Sequence, residues 1–219
     1  MTHKEIELKA LKGDIIEMWK LVIQQLEKTQ HSLLSFNKDY AHEVAANEKR
    51  VNSMELKIDR DCEHIFALFN PVAIDLRFVL AILKINTNLE RVGDIAENIS
   101  KFILEDKDPY NKSLIEATRL KPMYGASISM VNDVLIAFEN EDVDLARTIF
   151  SKDESIDIIN WEANKHISEF IRKNPDCIEQ ALNILSIMRK LERVGDRCKN
   201  IAEEIIFYME AKVIKHTKK

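Results

Sequence analysis

Leu89-Glu90-Arg91-Val92-Gly93-Asp94 is written twice in this chain of 219 residues. It returns as Leu191-Glu192-Arg193-Val194-Gly195-Asp196, offset by 102 residues (191 less 89), and Asn98-Ile99 returns in the same register as Asn200-Ile201. Eight identities in one register, half a chain apart, point to an internal duplication. The motif also carries two penalties. A glycine inside a helix costs about 1 kcal/mol relative to alanine. Glu followed four residues later by Asp sets like charges on one face, a repulsion of roughly 0.2–0.5 kcal/mol. A helix that accepts both penalties twice, in the same residues, has a use for these groups.

The composition agrees with long helices. Hydrophobic residues make up 46% and charged residues 32%, with only 4 Gly and 4 Pro, so a sizeable core is built with few breaks. The formal net charge of −5 argues against a general nucleic-acid binder, which shows a basic domain. Lys212, Lys215, Lys218 and Lys219 gather near the end of the sequence and read as a solvated tail. The three cysteines, Cys62, Cys177 and Cys198, form no Cys-x-x-Cys pair, which suits a reducing compartment and supplies no zinc framework. No apolar signal segment follows Met1, and the longest apolar run, Phe78 to Leu83, is far short of a membrane span. The expectation is a soluble, cytoplasmic protein.

Working outward from the repeat, apolar residues recur at helical spacing throughout. A first helix is predicted over 5–34, with Leu8, Leu11, Ile15, Met18, Val22 and Leu26 on one stripe. Asn37 reads as an N-cap for a second helix carrying Val44, Val51, Met54, Ile58, Cys62, Ile65 and Phe69. Asn70-Pro71 ends it, because Pro removes a donor and restricts the residue before it. A third helix starting near Pro71 or Val72 keeps Leu76, Ile82, Ile85, Leu89, Val92, Ala96, Ile99 and Ile103 inward. The segment 106–111, with Asp108-Pro109, is the joint, and helices over 113–138, 143–172 and 176–213 repeat the plan. Cys62, Cys198, Trp19 and Trp161 are all assigned to the core. The predicted fold is all-α: two tandem, pseudo-symmetric, antiparallel three-helix bundles of six long helices, over residues 1–107 and 112–219.

Stepping at about 100° per residue sets Glu90 and Asp94, and equally Glu192 and Asp196, roughly 140–180° from their apolar stripes, on the outer surface. Two further pairs, Glu55 with Asp59 and Asp153 with Asp157, share an offset of 98 (153 less 55) and lie on the flanks of their helices. The flank of one helix and the outer face of the next meet along a groove, gathering four carboxylates per half. Such clusters repel unless a hard cation joins them; carboxylate oxygens suit magnesium, calcium, manganese or iron. Gly93 and Gly195, lacking Cβ, let a neighbouring helix or a cluster approach. Arg91 and Arg193 balance charge or hold an anion such as phosphate. No Glu-x-x-His pair for a ferritin-type site appears, and Asp61-x-x-His64 and Asp39-x-x-His42 are unduplicated and incidental. No Gly-rich phosphate loop or nucleophile–base constellation is present.

At these residues the chain resembles the PhoU family of phosphate-transport regulators. The likeness is carried by Pro71-Val72-Ala73-Ile74-Asp75-Leu76-Arg77, by both copies of the Leu-Glu-Arg-Val-Gly-Asp element with their Asn-Ile, and by the four acidic pairs. It spans nearly the whole chain. The resemblance implies a pair of three-helix bundles, often dimeric, acting as a negative regulator of phosphate uptake and of the phosphate-starvation response. It implies an adaptor between a phosphate ABC transporter, through its ATPase subunit, and a sensor histidine kinase, reaching the membrane only through those partners. It also implies multivalent metal ions, iron or zinc first and magnesium or manganese also compatible. Glu55, Asp59, Glu90 and Asp94 would then ligate one cluster, and Asp153, Asp157, Glu192 and Asp196 the other. Two departures stand out: Arg197-Cys198 replaces the family's common His-Ala, and the second half has no clear counterpart of Asp75-Leu76-Arg77. The rival expectation is a metal-dependent phosphohydrolase holding two ions about 3.5–4 Å apart; metal storage is disfavoured by the small number of ligands.

Overall fold

The computed structural model describes residues 2–214, so Lys215, Lys218 and Lys219 of the basic tail lie outside the described residues. Lys212 is exposed and pairs with Glu210 at 3.0 Å. Helix α1 (His3–Ser35) opens on a capping box: the Thr2 hydroxyl accepts from Glu5 N–H while the Glu5 carboxylate accepts from Thr2 N–H. Helix α2 (Lys38–Phe69) has the predicted Asn37 cap, whose side chain accepts from Asp39 N–H, and stops at Asn70 before Pro71. Helix α3 (Ala73–Glu105) ends where the Lys38 ammonium donates to the Leu104 and Asp106 carbonyls, a cation on a helix C-terminus. Among the described residues no helix is long and apolar enough to cross a membrane.

The second half departs from one expectation. The segment predicted as a single helix is two, α4 (Lys112–Ala117) and α5 (Leu120–Asn140). Pro122 is the physical reason: it has no N–H for the Thr118 carbonyl, and its ring would collide with that carbonyl in a continuous helix. The chain instead turns through Arg119 in the left-handed region at φ 57°, while the Thr118 hydroxyl bonds back to the Leu114 carbonyl at 2.8 Å. Helix α6 (Val143–Lys173) starts on an Asp142 cap, and one 3-10 turn at Pro175–Cys177 leads into α7 (Ile178–Glu210).

Helices α1, α2 and α3 pack on one another, as do α5, α6 and α7, giving two three-helix bundles. Most of each stripe is buried as read, including Ile15, Met18, Val22, Val51, Ile58, Cys62, Ile85 and Leu89, each large apolar side chain contributing about 1.5–3 kcal/mol, while Leu8, Met54 and Phe69 are half-buried. Leu76, by contrast, is exposed. So is Trp161, at 82%; it stands two residues, about 200° of helix, from the buried Ala163, and therefore points away from the core that sequence analysis assigned to it.

The bundles share one seam. Trp19 is fully buried, donates its indole N–H to the Val131 carbonyl at 3.1 Å and packs against Phe138. The Tyr124 hydroxyl donates to Thr29 Oγ1 at 2.6 Å. Helices α3 and α7 lie side by side and antiparallel: Arg77 meets the Tyr208 carbonyl, Lys84 meets Glu204, and Asn88 meets Asn200. The Asp75-Leu76-Arg77 element thereby has a mechanical role, since Asp75 also pairs with Lys4 and so ties α3 to the starts of α1 and the end of α7.

Candidate metal centre

Both motif glycines are helical with negative φ, and both face a neighbouring helix at close range. A Cβ on Gly93 would lie 3.2 Å from both Glu48 Oε2 and Val51 Cγ1 of α2. A Cβ on Gly195 would lie 2.7 Å from Asp153 Oδ1 and 3.6 Å from Ile156 Cδ1 of α6. In each half the missing methyl therefore admits a carboxylate-bearing helix, as the sequence led us to expect. The register of that helix is a correction. The residue over Gly93 that corresponds to Asp153 is Glu48, at an offset of 105 (153 less 48), and not Glu55 at an offset of 98.

Glu48 was missed by pairing acidic residues with one another. It lies on the apolar stripe, four residues after Val44 and three before Val51, and is 5% exposed. A charged residue inside a buried stripe was the available signal. Gln25 Nε2 donates to Glu48 Oε2 at 3.3 Å, while Glu48 Oε1 has no hydrogen-bond partner. Burial lifts the Glu48 carboxyl to about 7 against the opposing Gln25 bond, with Asp94, Glu97 and Glu90 adding to the rise.

The rest of the α2–α3 groove is acidic too. Burial first, then Asp94 and Glu55, raises Glu90, whose side chain is only 12% exposed, so the outer placement from the helical wheel gives way to a groove wall. Glu90 Oε2 stands 3.4 Å from Arg91 Nε without hydrogen-bond geometry. Burial and Asp59 raise Glu55. Asn86, itself buried, donates to Asp59 Oδ1 at 2.9 Å and to the Glu55 carbonyl. Arg91 holds Asp94 at 3.1 Å, and Lys101 holds Glu97 at 2.7 Å.

The α6–α7 groove brings Asp153, Asp157, Glu192 and Asp196 together with a different balance. Asp153 is 3% exposed, and the Lys199 ammonium bridges it to Asp196. Burial raises Asp153, partly offset by Lys199; burial likewise raises Glu192, helped by Asp196, Asp157 and Asp153. Lys199 is held well above the usual lysine value by its bonds to Asp153 and Asp196, although burial pulls it down. Asp157 is exposed at the rim. One motif repeat before Lys199, the first half has Glu97. The two grooves thus carry opposite charges at one equivalent position. As the side chains stand, no three His, Cys, Asp or Glu groups among the described residues are gathered closely enough to hold a metal ion.

The PhoU domain matches this chain twice, over residues 15–103 and 120–205. The chain belongs to the PhoU family. It is 34% identical to the phosphate-specific transport system accessory protein PhoU homolog 1 of Thermotoga maritima, over 97% of this chain and 91% of that protein. It is 32% identical to the phosphate-specific transport system accessory protein PhoU of Escherichia coli, over 96% and 86%. Its fold is similar to the crystal structure of PhoU from Pseudomonas aeruginosa, with a TM-score of 0.86 at 28% identity over 95% of this chain and 99% of that one. It is equally similar to the PhoU phosphate transport system regulatory protein of Streptococcus pneumoniae, with a TM-score of 0.87 at 27% identity over 97% and 100%.

Two of the three thiols in this PhoU-family chain are sealed in the core. Burial pushes Cys62 up to about 12 and Cys198 higher still, which keeps both protonated in the core. A cleft of about 490 Å³ lies at the joint beside Asp106, Pro109 and Asp176, away from both acidic grooves.

Proposed function

We propose that this chain is a non-enzymatic accessory protein of a phosphate transport system. It restrains phosphate uptake and the phosphate-starvation response by joining a phosphate ABC transporter, through its ATPase subunit, to a sensor histidine kinase. The working form is a cytoplasmic homodimer that meets the membrane only through these partners. The observation that carries this reading is the match, over 96–97% of the chain, to proteins named as accessory to phosphate-specific transport.

A cation belongs to the same proposal, and the two grooves differ in fitness for it. In the α2–α3 groove, Glu48 Oε1 and Glu90 Oε2 are buried without hydrogen-bond partners, and burial raises both carboxyls, so a cation would relieve a real cost. Glu55, Asp59, Glu90 and Asp94, with Glu48 beneath them, are the residues that would hold iron, zinc, magnesium or manganese after turning inward. Bound there, the ion would neutralise the carboxylates and fix the outline of the groove. In the α6–α7 groove Asp153 Oδ1 is likewise buried without a hydrogen-bond partner, but Lys199 already supplies the positive charge beside it, and we assign no ion to that groove.

The test of the adaptor is a phosphate-starvation reporter in a host deleted for its own family member. Expression of this chain is expected to restore repression at high phosphate, and the chain is expected to co-purify with the transporter ATPase and the kinase. A folded chain that leaves the reporter derepressed and captures neither partner would contradict the reading.

A further inference from the structure

Lys190, Arg193 and Arg197 stand on α7 at spacings of three and four, so one helix face carries all three. With Arg91, Asp94 and Asn98 of α3 they line a cleft of about 180 Å³ at the seam between the bundles. The antiparallel register seen at Asn88–Asn200 and Lys84–Glu204 is what brings these two helix faces together. Among the described residues none of the three α7 cations is in ion-pair contact with a carboxylate; the one carboxylate lining the cleft, Asp94, is held by Arg91. Lys190 sits over the Phe102 ring at 5.7 Å, and burial, Arg193 and Lys101 all pull its ammonium below the ordinary lysine value.

Like charges crowded in a cleft repel, and this crowding is not something the duplicated motif requires. One repeat earlier, Lys190 corresponds to Asn88 and Arg197 to Ile95. Two of the four cations are therefore present in the second half alone. Guanidinium forks match tetrahedral oxyanions through paired N–H bonds, and a lysine adds a point charge. The volume suits one such anion and is below the roughly 300 Å³ of pockets that enclose larger organic ligands.

We infer that this cleft between α3 and α7 binds a phosphate-class oxyanion, with Arg193 and Arg197 as its forks and Lys190 and Arg91 as supporting cations. The cleft adjoins the α2–α3 groove, with which it shares Arg91 and Asp94, and the inference does not rest on the adaptor reading, to which it would give a direct phosphate input.

The test is titration calorimetry of inorganic phosphate into the full chain at constant ionic strength. The comparison proteins are the double variant Arg193→Gln/Arg197→Gln and, as a control elsewhere on α6, Lys165→Gln. Saturable binding of one phosphate per chain is expected, weakened at least tenfold in the double variant and unchanged in the control. Should the double variant fail to fold by circular dichroism, Arg197→Gln and Lys190→Gln singly carry the comparison. Absence of saturable binding to the unaltered chain, or equal affinity in the arginine variants, would overturn the inference. So would binding of ATP without binding of inorganic phosphate, since that ligand class is larger than the cleft proposed.

Discussion

Glu48 occupies a position where a charged side chain is expensive. Its carboxyl is lifted to about 7 by burial, well above the 4.5 it would have when exposed. Between those values the folded state binds a proton that the unfolded chain has lost, so this group's contribution to stability falls as pH rises toward about 8. Glu55, Glu90 and Glu192 are raised as well and act in the same direction. In metal-free protein, Glu48→Gln keeps a hydrogen-bonding partner for Gln25 and removes the charge. It is expected to exceed the unaltered chain in stability by about 1–2 kcal/mol near pH 8, after solvent screening, and by little near pH 5. Denaturant unfolding at both pH values measures this; an equal difference at the two would contradict it. Sequence pattern exposed Glu90, Asp94, Glu192 and Asp196, because repetition is visible. It did not expose Glu48, because that residue's meaning comes from the helix packed against it. Trp161 shows the converse error, a residue type read as core although its helical angle points it outward.

At the scale of helices, the two glycine contacts differ in tightness. Alanine at 195 would set its Cβ 2.7 Å from Asp153 Oδ1, and Asp153 cannot retreat without loosening Lys199. Gly195→Ala is therefore expected to lose about 1–3 kcal/mol through overpacking, despite alanine's better helix propensity. At Gly93 the nearest atoms are 3.2 Å away and a small shift suffices, so Gly93→Ala is expected within about 1 kcal/mol of the unaltered chain. Thermal unfolding of both variants tests the pair, and equal losses would contradict the difference in approach. The long helices were legible because their apolar stripes repeat over many turns, and Asn37 and Asn70-Pro71 announced their ends. The break at Thr118–Arg119 was hidden inside a stripe that continues on both sides of it. Pro122 carried the signal, as the one residue in that run that cannot complete a helical hydrogen bond.

For the whole molecule, the repeat gives two similar bundles and two similar grooves, and a few residues make them unlike. Glu97 adds negative charge beside Glu48, whereas its repeat, Lys199, closes the α6–α7 groove with an ammonium. Lys190 and Arg197 add charge at the seam where the first half has Asn88 and Ile95. On the readings proposed above, the chain keeps the symmetric scaffold while giving each surface a separate ligand chemistry. That division was beyond the sequence alone, since matching carboxylates suggest matching sites until the neighbouring cation is located in space. The central proposal, that a metal ion belongs to the α2–α3 groove and not to its repeat, has a direct test. Metal content per chain is measured on protein purified without chelator or nickel affinity, comparing Glu90→Ala/Asp94→Ala with Glu192→Ala/Asp196→Ala. Stoichiometric metal in the unaltered chain, lost in the first variant and kept in the second, is the expected result. Metal absent from the unaltered chain, retained in the first variant or lost in the second would contradict it.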